Sequence, residues 1–324
     1  MRYTKLGKSG LDVSRVAFGT WELGGDWGGT DDQRAISAIR RAADEGVTLF
    51  DTAQGYGFGA SERLLARALA GYPRDQIVVA TKGGLRPEAG GMARDASPAW
   101  IRQGVDASLR ALATDYIDLY QLHWPDPQTP FEATAGALMD LVSQGKIRHV
   151  GVSNFDAAQI EAFSAILPVE TLQPPYHLFR RDIEKEILPY TAAQNIGVLV
   201  YGPLAHGLLS GGLRDDTVFA PGDWRASSPA FQGQAYHRNL DVVTELGDLA
   251  NEVGISLSQL DIAWTLANPA VDAAIVGTRN PAHVSQAVAA AEIELEPAAL
   301  KRIEEITAKA VPVDGPSSEA MPRD

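Results

Sequence analysis

Short apolar runs alternate with longer stretches that turn apolar every three or four residues, and the alternation repeats from residue 16 to residue 290. The runs read as strands and the 3.6-residue period as helices that bury one face. Val16-Ala17-Phe18 is the first strand. Residues 31–45 then have helical spacing through Ile36, Ile39, Ala42 and Ala43, with Asp31 or Thr30 as N-cap and Gly46 closing the element. A strand ending on Asp51 precedes a helix over 61–69, a strand meeting Lys82 precedes a helix over 97–112, and a strand meeting His123 precedes a helix over 130–144. Further strands are expected at 147–152, 170–173, 197–201 and 273–276, and further helices at 157–166, 182–194, 241–253, 257–266 and 281–290. Eight strand-then-helix units predict an α/β fold, a closed parallel (β/α)8 TIM barrel, in preference to a doubly wound sheet.

Three segments lie outside this repeat. Tyr3-Thr4-Lys5-Leu6 and Leu11-Asp12-Val13 flank Gly7-Lys8-Ser9-Gly10, which predicts an N-terminal β-hairpin plugging one end of the barrel. Residues 211–236, after the seventh strand, hold glycines, two prolines and Trp224 without periodicity. A loop of that length on the face where the strands end predicts a lid. Residues 298–308 are amphipathic and surplus to the count, so 1–310 reads as one barrel domain and 311–324 as a loosely held tail.

The strand ends carry the chemistry. An apolar strand has no reason to finish on a carboxylate unless the charge meets a cation or a substrate, because burying it unpaired costs several kcal/mol. Asp51, Lys82 and His123 end three successive strands, and in a parallel barrel these ends share one face with the glycine-flanked loop carrying Tyr56. Taken singly, Asp51 with Lys82 reads as a plain buried ion pair, His123 as a core histidine and Tyr56 as a packed surface aromatic. Four such groups converging point to a site. Trp21, Trp27, Trp124 and Trp224 all fall in loops after strands and predict an aromatic-lined pocket, whereas His149, His177, His206 and His237 receive no role. Gly55-Tyr56-Gly57-Phe58-Gly59-Ala60 also satisfies the dinucleotide fingerprint G-x-G-x-x-G/A. A Rossmann unit, however, needs an acid at the end of the following strand, and that strand ends on Lys82.

Composition narrows the classes. The chain has 324 residues, 45% hydrophobic and 21% charged, and no apolar run approaches the roughly 18 residues of a membrane span. The first residues lack the apolar core of a signal peptide, so cytoplasmic residence is expected. Cysteine is absent, which removes disulfides, thiolate zinc sites and a cysteine nucleophile; the six histidines show no spacing that would pair two ligands on a metal. A net charge of −13 argues against nucleic acid and anionic membranes as partners. An anionic ligand needs a local cationic pocket. Arg279, with Gly277 and Thr278 just past a strand and at a helix start, suits a phosphate.

Taken together, these motifs resemble the aldo-keto reductase superfamily. The resemblance rests on Gly46-Val47-Thr48-Leu49-Phe50-Asp51-Thr52-Ala53-Gln54-Gly55-Tyr56-Gly57 with Ser61-Glu62, then Ala80-Thr81-Lys82-Gly83 and Gln121-Leu122-His123-Trp124-Pro125-Asp126. It continues through Gly151-Val152-Ser153-Asn154-Phe155, Tyr201-Gly202-Pro203-Leu204-Ala205-His206-Gly207-Leu208-Leu209-Ser210-Gly211 and Gly277-Thr278-Arg279-Asn280-Pro281, so it spans residues 1–310. The branches most similar are bacterial and potassium-channel-subunit-like, where the long loop lies over the cofactor. The resemblance implies a (β/α)8 barrel that reduces carbonyl compounds with NADP(H), a small-molecule carbonyl as partner, and a tetrad of Asp51, Tyr56, Lys82 and His123. In it Tyr56 is the general acid, Lys82 stabilises the phenolate, Asp51 holds Lys82 charged, and His123 positions the carbonyl oxygen. It further implies Ser153, Asn154 and Gln173 at the nicotinamide carboxamide, Tyr201 stacked on the ring, Leu204 and Ser210 near the pyrophosphate, and Gly277, Thr278, Arg279 and His283 around the adenosine phosphate. The chain departs from the family pattern at His283, where glutamine is usual, at Ala287, where asparagine is usual, and at Gly212, where lysine is frequent. Two competing functions are a cofactor-sensing subunit with little turnover and a metal-free barrel lyase or isomerase using Lys82 as a Schiff base, for which an ion-paired Asp51 is awkward.

Overall fold

Strands built from Val, Ile, Leu, Ala and Phe bury both faces, and a closed barrel with helices outside is the arrangement that lets them. The computed structural model describes residues 1–25, 31–88, 91–220 and 223–315. Eight parallel strands close on themselves: β1 (Val16–Gly19), β2 (Leu49–Asp51), β3 (Val78–Gly83), β4 (Ile117–Leu122), β5 (Ile147–Ser153), β6 (Thr171–Gln173), β7 (Gly197–Tyr201) and β8 (Ala273–Gly277), with β8 pairing back onto β1. Leu49, Val78, Ala80, Leu119, Leu199 and Ala273 fill the interior. On the outer side Phe18, Phe50, Val79 and Val150 join the helical residues Ile39, Leu65, Ile101 and Leu138 in one core.

The N-terminal hairpin, Tyr3–Lys5 antiparallel to Asp12–Ser14, closes the bottom. Its Leu6 and Val13 are fully buried in the barrel-interior cluster. At Gly7 (φ +47°) a Cβ would come 2.1 Å from the backbone nitrogen of Gly197, so only glycine lets the hairpin tip press on β7. With that end shut, the strand C-termini carry the open face.

The helices are α1 (Asp32–Asp44), α2 (Ala60–Leu69), α3 (Pro98–Leu112), α4 (Phe131–Ser143), α5 (Ala157–Ser164), α6 (Ile187–Ala193), α7 (Gly233–Val253), α8 (Leu257–Ala267), α9 (Pro281–Ala290) and α10 (Pro297–Thr307). Three differences from the sequence reading have local causes. α7 starts at Gly233 and not at 241, because Tyr236 and Asn239 are buried on a face that the polar residues between them disguise. The helix expected over 182–194 begins only at Ile187, after a 3-10 turn at Asp182–Glu184. Pro189 explains this: it has no N–H to give and is tolerated only in a first turn. A second hairpin, Leu85–Glu88 paired with Gly91–Arg94, follows β3 and was not anticipated, since Pro87 demotes the run as a strand.

Of the segment expected to be a loose tail, residues 311–315 are anchored: Val313 is fully buried and its N–H donates to Phe179 O at 3.0 Å. Asn239 exchanges two hydrogen bonds with the Val311 backbone. Residues 316–324 lie outside the described residues. Among the described residues no helix is long and apolar enough to cross a membrane, and no group of three or more His, Asp or Glu is placed to hold a metal ion.

One core residue conflicts with its surroundings. Asp261 of α8 is fully buried, and among the described residues neither of its carboxyl oxygens has a hydrogen-bond partner. Burial pushes this carboxyl well above its ordinary value. The folded chain therefore keeps a proton that the unfolded chain releases near pH 3.9, and stability falls as pH rises from there toward the folded value. Asp261→Asn keeps the shape and cannot ionise. It is expected to raise the stability measured by urea unfolding by on the order of 1–3 kcal/mol, with a larger gain at pH 8 than at pH 5. Identical midpoints for the two proteins at both pH values would contradict this.

Candidate active site

β2, β3 and β4 end side by side, with Asp51 level with Ala80 and Lys82 level with Gln121. The Lys82 side chain therefore starts one layer above Asp51 and bends back to it. Its Nζ donates to Asp51 Oδ1 at 2.5 Å, to Thr52 O at 3.0 Å and to Tyr56 OH at 3.4 Å. Asp51 and Lys82 are 3% and 1% exposed, so neither charge has water as an alternative partner. The second carboxylate oxygen, Oδ2, accepts from Gln173 Nε2 at 2.8 Å, an amide that arrives from β6 across the barrel. A buried carboxylate with an ammonium on one oxygen and an amide on the other is fully satisfied.

Tyr56 reaches this pair through a tight turn. Gly57 (φ +63°) and Gly59 (φ +90°) take left-handed conformations, and a Cβ on Gly57 would lie 2.6 Å from Gly24 O. A hydroxyl relay beneath the loop holds it, Thr52 Oγ1 to Ser61 Oγ at 3.1 Å and Ser61 Oγ to Thr20 Oγ1 at 2.7 Å. The glycines that imitate a dinucleotide fingerprint thus let the loop carrying Tyr56 turn tightly against Gly24. His123 donates its backbone N–H to Gly83 O at 2.9 Å, and its ring stands edge-on to Tyr56 with centroids 5.7 Å apart. Burial, with the Lys82 charge nearby, pushes His123 well below the usual histidine range, so its imidazole is neutral.

A cleft of about 650 Å³ runs from this group along the strand ends to the start of α9. Near the tetrad, Ser153 Oγ donates to Gln173 O at 2.8 Å, Asn154 Nδ2 to His123 O at 3.0 Å, and Tyr201 OH to Asn154 Oδ1 at 2.9 Å. Asn154 holds a left-handed φ of +61°. Burial pushes the Tyr201 hydroxyl up to about 12, so it stays a neutral donor. Leu204 and Ser210 line the middle, where Ser210 Oγ donates to Gly207 O. At the far end Gly277, Thr278, Arg279, His283 and Ala287 form the wall. Asn280 caps α9, accepting from Ala282 N through Oδ1 and donating to His283 Nε2 at 3.0 Å. Arg279 Nε lies 3.8 Å from Glu22 Oε2. Burial raises the Glu22 carboxyl, and Arg279 and Arg225 oppose that rise.

The four tryptophans separate. Trp21 lines the cleft and stacks on Tyr56 at 6.5 Å; Trp124 lines it with the Arg94 guanidinium 4.9 Å from its ring. Trp224 is buried one layer back, edge-on to His206 at 5.0 Å, and Trp27 lies outside the described residues. His206, given no role by the sequence, lines the cleft and stands edge-on to Trp21 at 6.0 Å; burial holds it down to about 3. Leu85 and Met92 of the unanticipated hairpin also line the cleft, and so do Glu22, Asp31 and Arg34. The signal for His206 was its place inside the glycine-rich run after β7. Nothing local marked Glu22.

The sequence profile described as the Aldo/keto reductase family matches residues 15–308. An aldo-keto reductase, YhdN, of Bacillus subtilis is 44% identical over 284 residues, covering 87% of this chain and 86% of the relative. An NADH-specific methylglyoxal reductase of Escherichia coli is 36% identical over 314 residues, covering 92% and 96%. Among solved structures, the glycerol dehydrogenase AKR11B4 of Gluconobacter oxydans superposes with a TM-score of 0.86 at 41% identity, covering 98% of this chain and 97% of that one.

Proposed function

From the premise that the chain belongs to the aldo/keto reductase family, we propose that it reduces aldehyde or ketone carbonyls to alcohols, or runs the reverse reaction, with NADP(H). The observation that carries this reading is the Tyr56 hydroxyl 3.4 Å from the ammonium of Lys82, itself anchored on buried Asp51, at one end of a long cleft. The donor set fits a dinucleotide. The helix start of α9 with Thr278 and Arg279 suits phosphate at the far end, and the Tyr201 ring lines the wall nearer the tetrad. When bound, the cofactor supplies or accepts the hydride.

The protein's own residues do the rest. Hydride arriving at a carbonyl carbon leaves negative charge on oxygen, which must be met by a proton. Tyr56 donates it, and the ammonium beside it stabilises the phenolate that remains. Asp51 and Thr52 O hold Lys82 in place, and Gln173 holds Asp51. A neutral His123 can hydrogen-bond the carbonyl oxygen without competing with Tyr56 as the proton source. Trp21, Trp124, Leu85 and Met92 give an apolar surround that excludes water.

The test is a panel of carbonyls, beginning with methylglyoxal, glyceraldehyde and dihydroxyacetone and extending to aromatic aldehydes, ketones and sugars, each with NADPH and NADH. Oxidation of NADPH with at least one carbonyl class is expected, faster than of NADH. A protein that binds dinucleotide and turns over no carbonyl and no alcohol would instead be a binding subunit.

A further inference from the structure

The cleft is lined by Arg34, Arg225 and Arg279 and also, besides Asp51, by two acids, Glu22 and Asp31, and of the arginines Arg225 is paired with Asp223. A site built only to hold an extra phosphate has no use for the acids. Asp31 is accounted for as the N-cap of α1, accepting from Gln33 N and Arg34 N. Glu22 caps no helix. It comes from the loop after β1, leans over the end of β8 so that a Cβ on Gly277 would lie 3.6 Å from its Oε1, and sets its Oε2 3.8 Å from Arg279 Nε. Its side chain is only 28% exposed and that of Arg279 37%, so the two charges meet inside the cleft and not in open solvent. A guanidinium already facing a carboxylate gains less from an incoming phosphate, because the phosphate must share it with that carboxylate. A ligand with a free ribose hydroxyl in the same place draws far less on that arginine and loses little by sharing it.

We propose that Glu22 is a specificity-determining residue that holds Arg279 as its counter-ion and thereby narrows the preference for NADP over NAD. This rests on the reading that the 2′-phosphate is met by Arg279. It also makes Glu22 the reason that Arg279 alone does not commit the chain to one dinucleotide.

Titration calorimetry with NADP+ and with NAD+, on the intact chain and without substrate, measures the two dissociation constants directly. Glu22→Gln and Glu22→Ala are each expected to tighten NADP+ by about three- to fivefold, the weight of one partly exposed charge, and to leave NAD+ unchanged. Arg279→Ala is expected to weaken NADP+ selectively, and in its background Glu22→Gln should have no effect, since the acid acts through the arginine. If Glu22→Gln changed both dinucleotides equally, or tightened NADP+ with Arg279 absent, the inference about Glu22 would be wrong while the cofactor reading stood. If Arg279→Ala left the ratio of the two constants unchanged, the cofactor reading would fail and this inference with it.

Discussion

Tyr56→Phe is expected to lower kcat by about 10² to 10⁴ while fold and dinucleotide binding persist. The substitution removes one oxygen from a ring that stacks on Trp21 and stands edge-on to His123, so packing is kept. It deletes the hydroxyl that lies 3.4 Å from Lys82 Nζ. Tyr201, the neighbouring phenol in the cleft, cannot replace it: its hydroxyl is committed to Asn154 and held up to about 12. His123 cannot either, because it is neutral and pushed well below the usual range. The check is steady-state turnover beside a cofactor titration on the same preparation. A loss of binding that matches the loss of turnover would mean that the hydroxyl holds the cofactor and does no chemistry.

Lys82→Met is expected to cost nearly as much turnover and to destabilise the fold as well, by about 3–5 kcal/mol. Lys82 is 1% exposed and Asp51 3%, so without the ammonium the carboxylate keeps Gln173 as a partner and has no counter-charge at its other oxygen. Pairing the change with Asp51→Asn should return much of the lost stability and none of the turnover, because the buried charge is gone while the acid remains untuned. The Tyr56→Phe and Lys82→Met double variant should lose far less than the product of the two single losses, since both residues serve one proton transfer. Thermal unfolding and kcat on the parent and the four variants separate these effects. A Lys82→Met protein as stable as the parent would show that the pair is not held dry.

The parts of this site that were legible in the chain are those where a residue breaks the rule of its element. Asp51, Lys82 and His123 are polar groups at the ends of apolar strands, and the periodicity that defines a parallel barrel places all strand C-termini on one face. The parts that were not legible depend on closure. The resemblance implies Gln173 at the nicotinamide carboxamide, and nothing in the chain pattern tells that its amide donates to Asp51 from a strand 122 positions away in sequence. His206 sits in the glycine-rich run after β7 and Trp224 in the aperiodic stretch that follows it, and only the packing decides that the histidine faces the cleft while the tryptophan stands behind it. The hairpin bearing Leu85 and Met92 is too short and too interrupted by Pro87 to show as alternation. Glu22 meets Arg279 because β1 and β8 are neighbours, and this holds only once the barrel is closed.

The central claim, hydride delivery to a carbonyl carbon with the proton from Tyr56, is tested most directly by a single turnover with nicotinamide cofactor deuterated at the reactive carbon, run on the parent chain and on Tyr56→Phe. The account predicts deuterium on the carbinol carbon of the alcohol in both, formed about 10² to 10⁴ times more slowly in the variant. Cofactor oxidation without deuterium on that carbon, or equal rates in the two proteins, would contradict it.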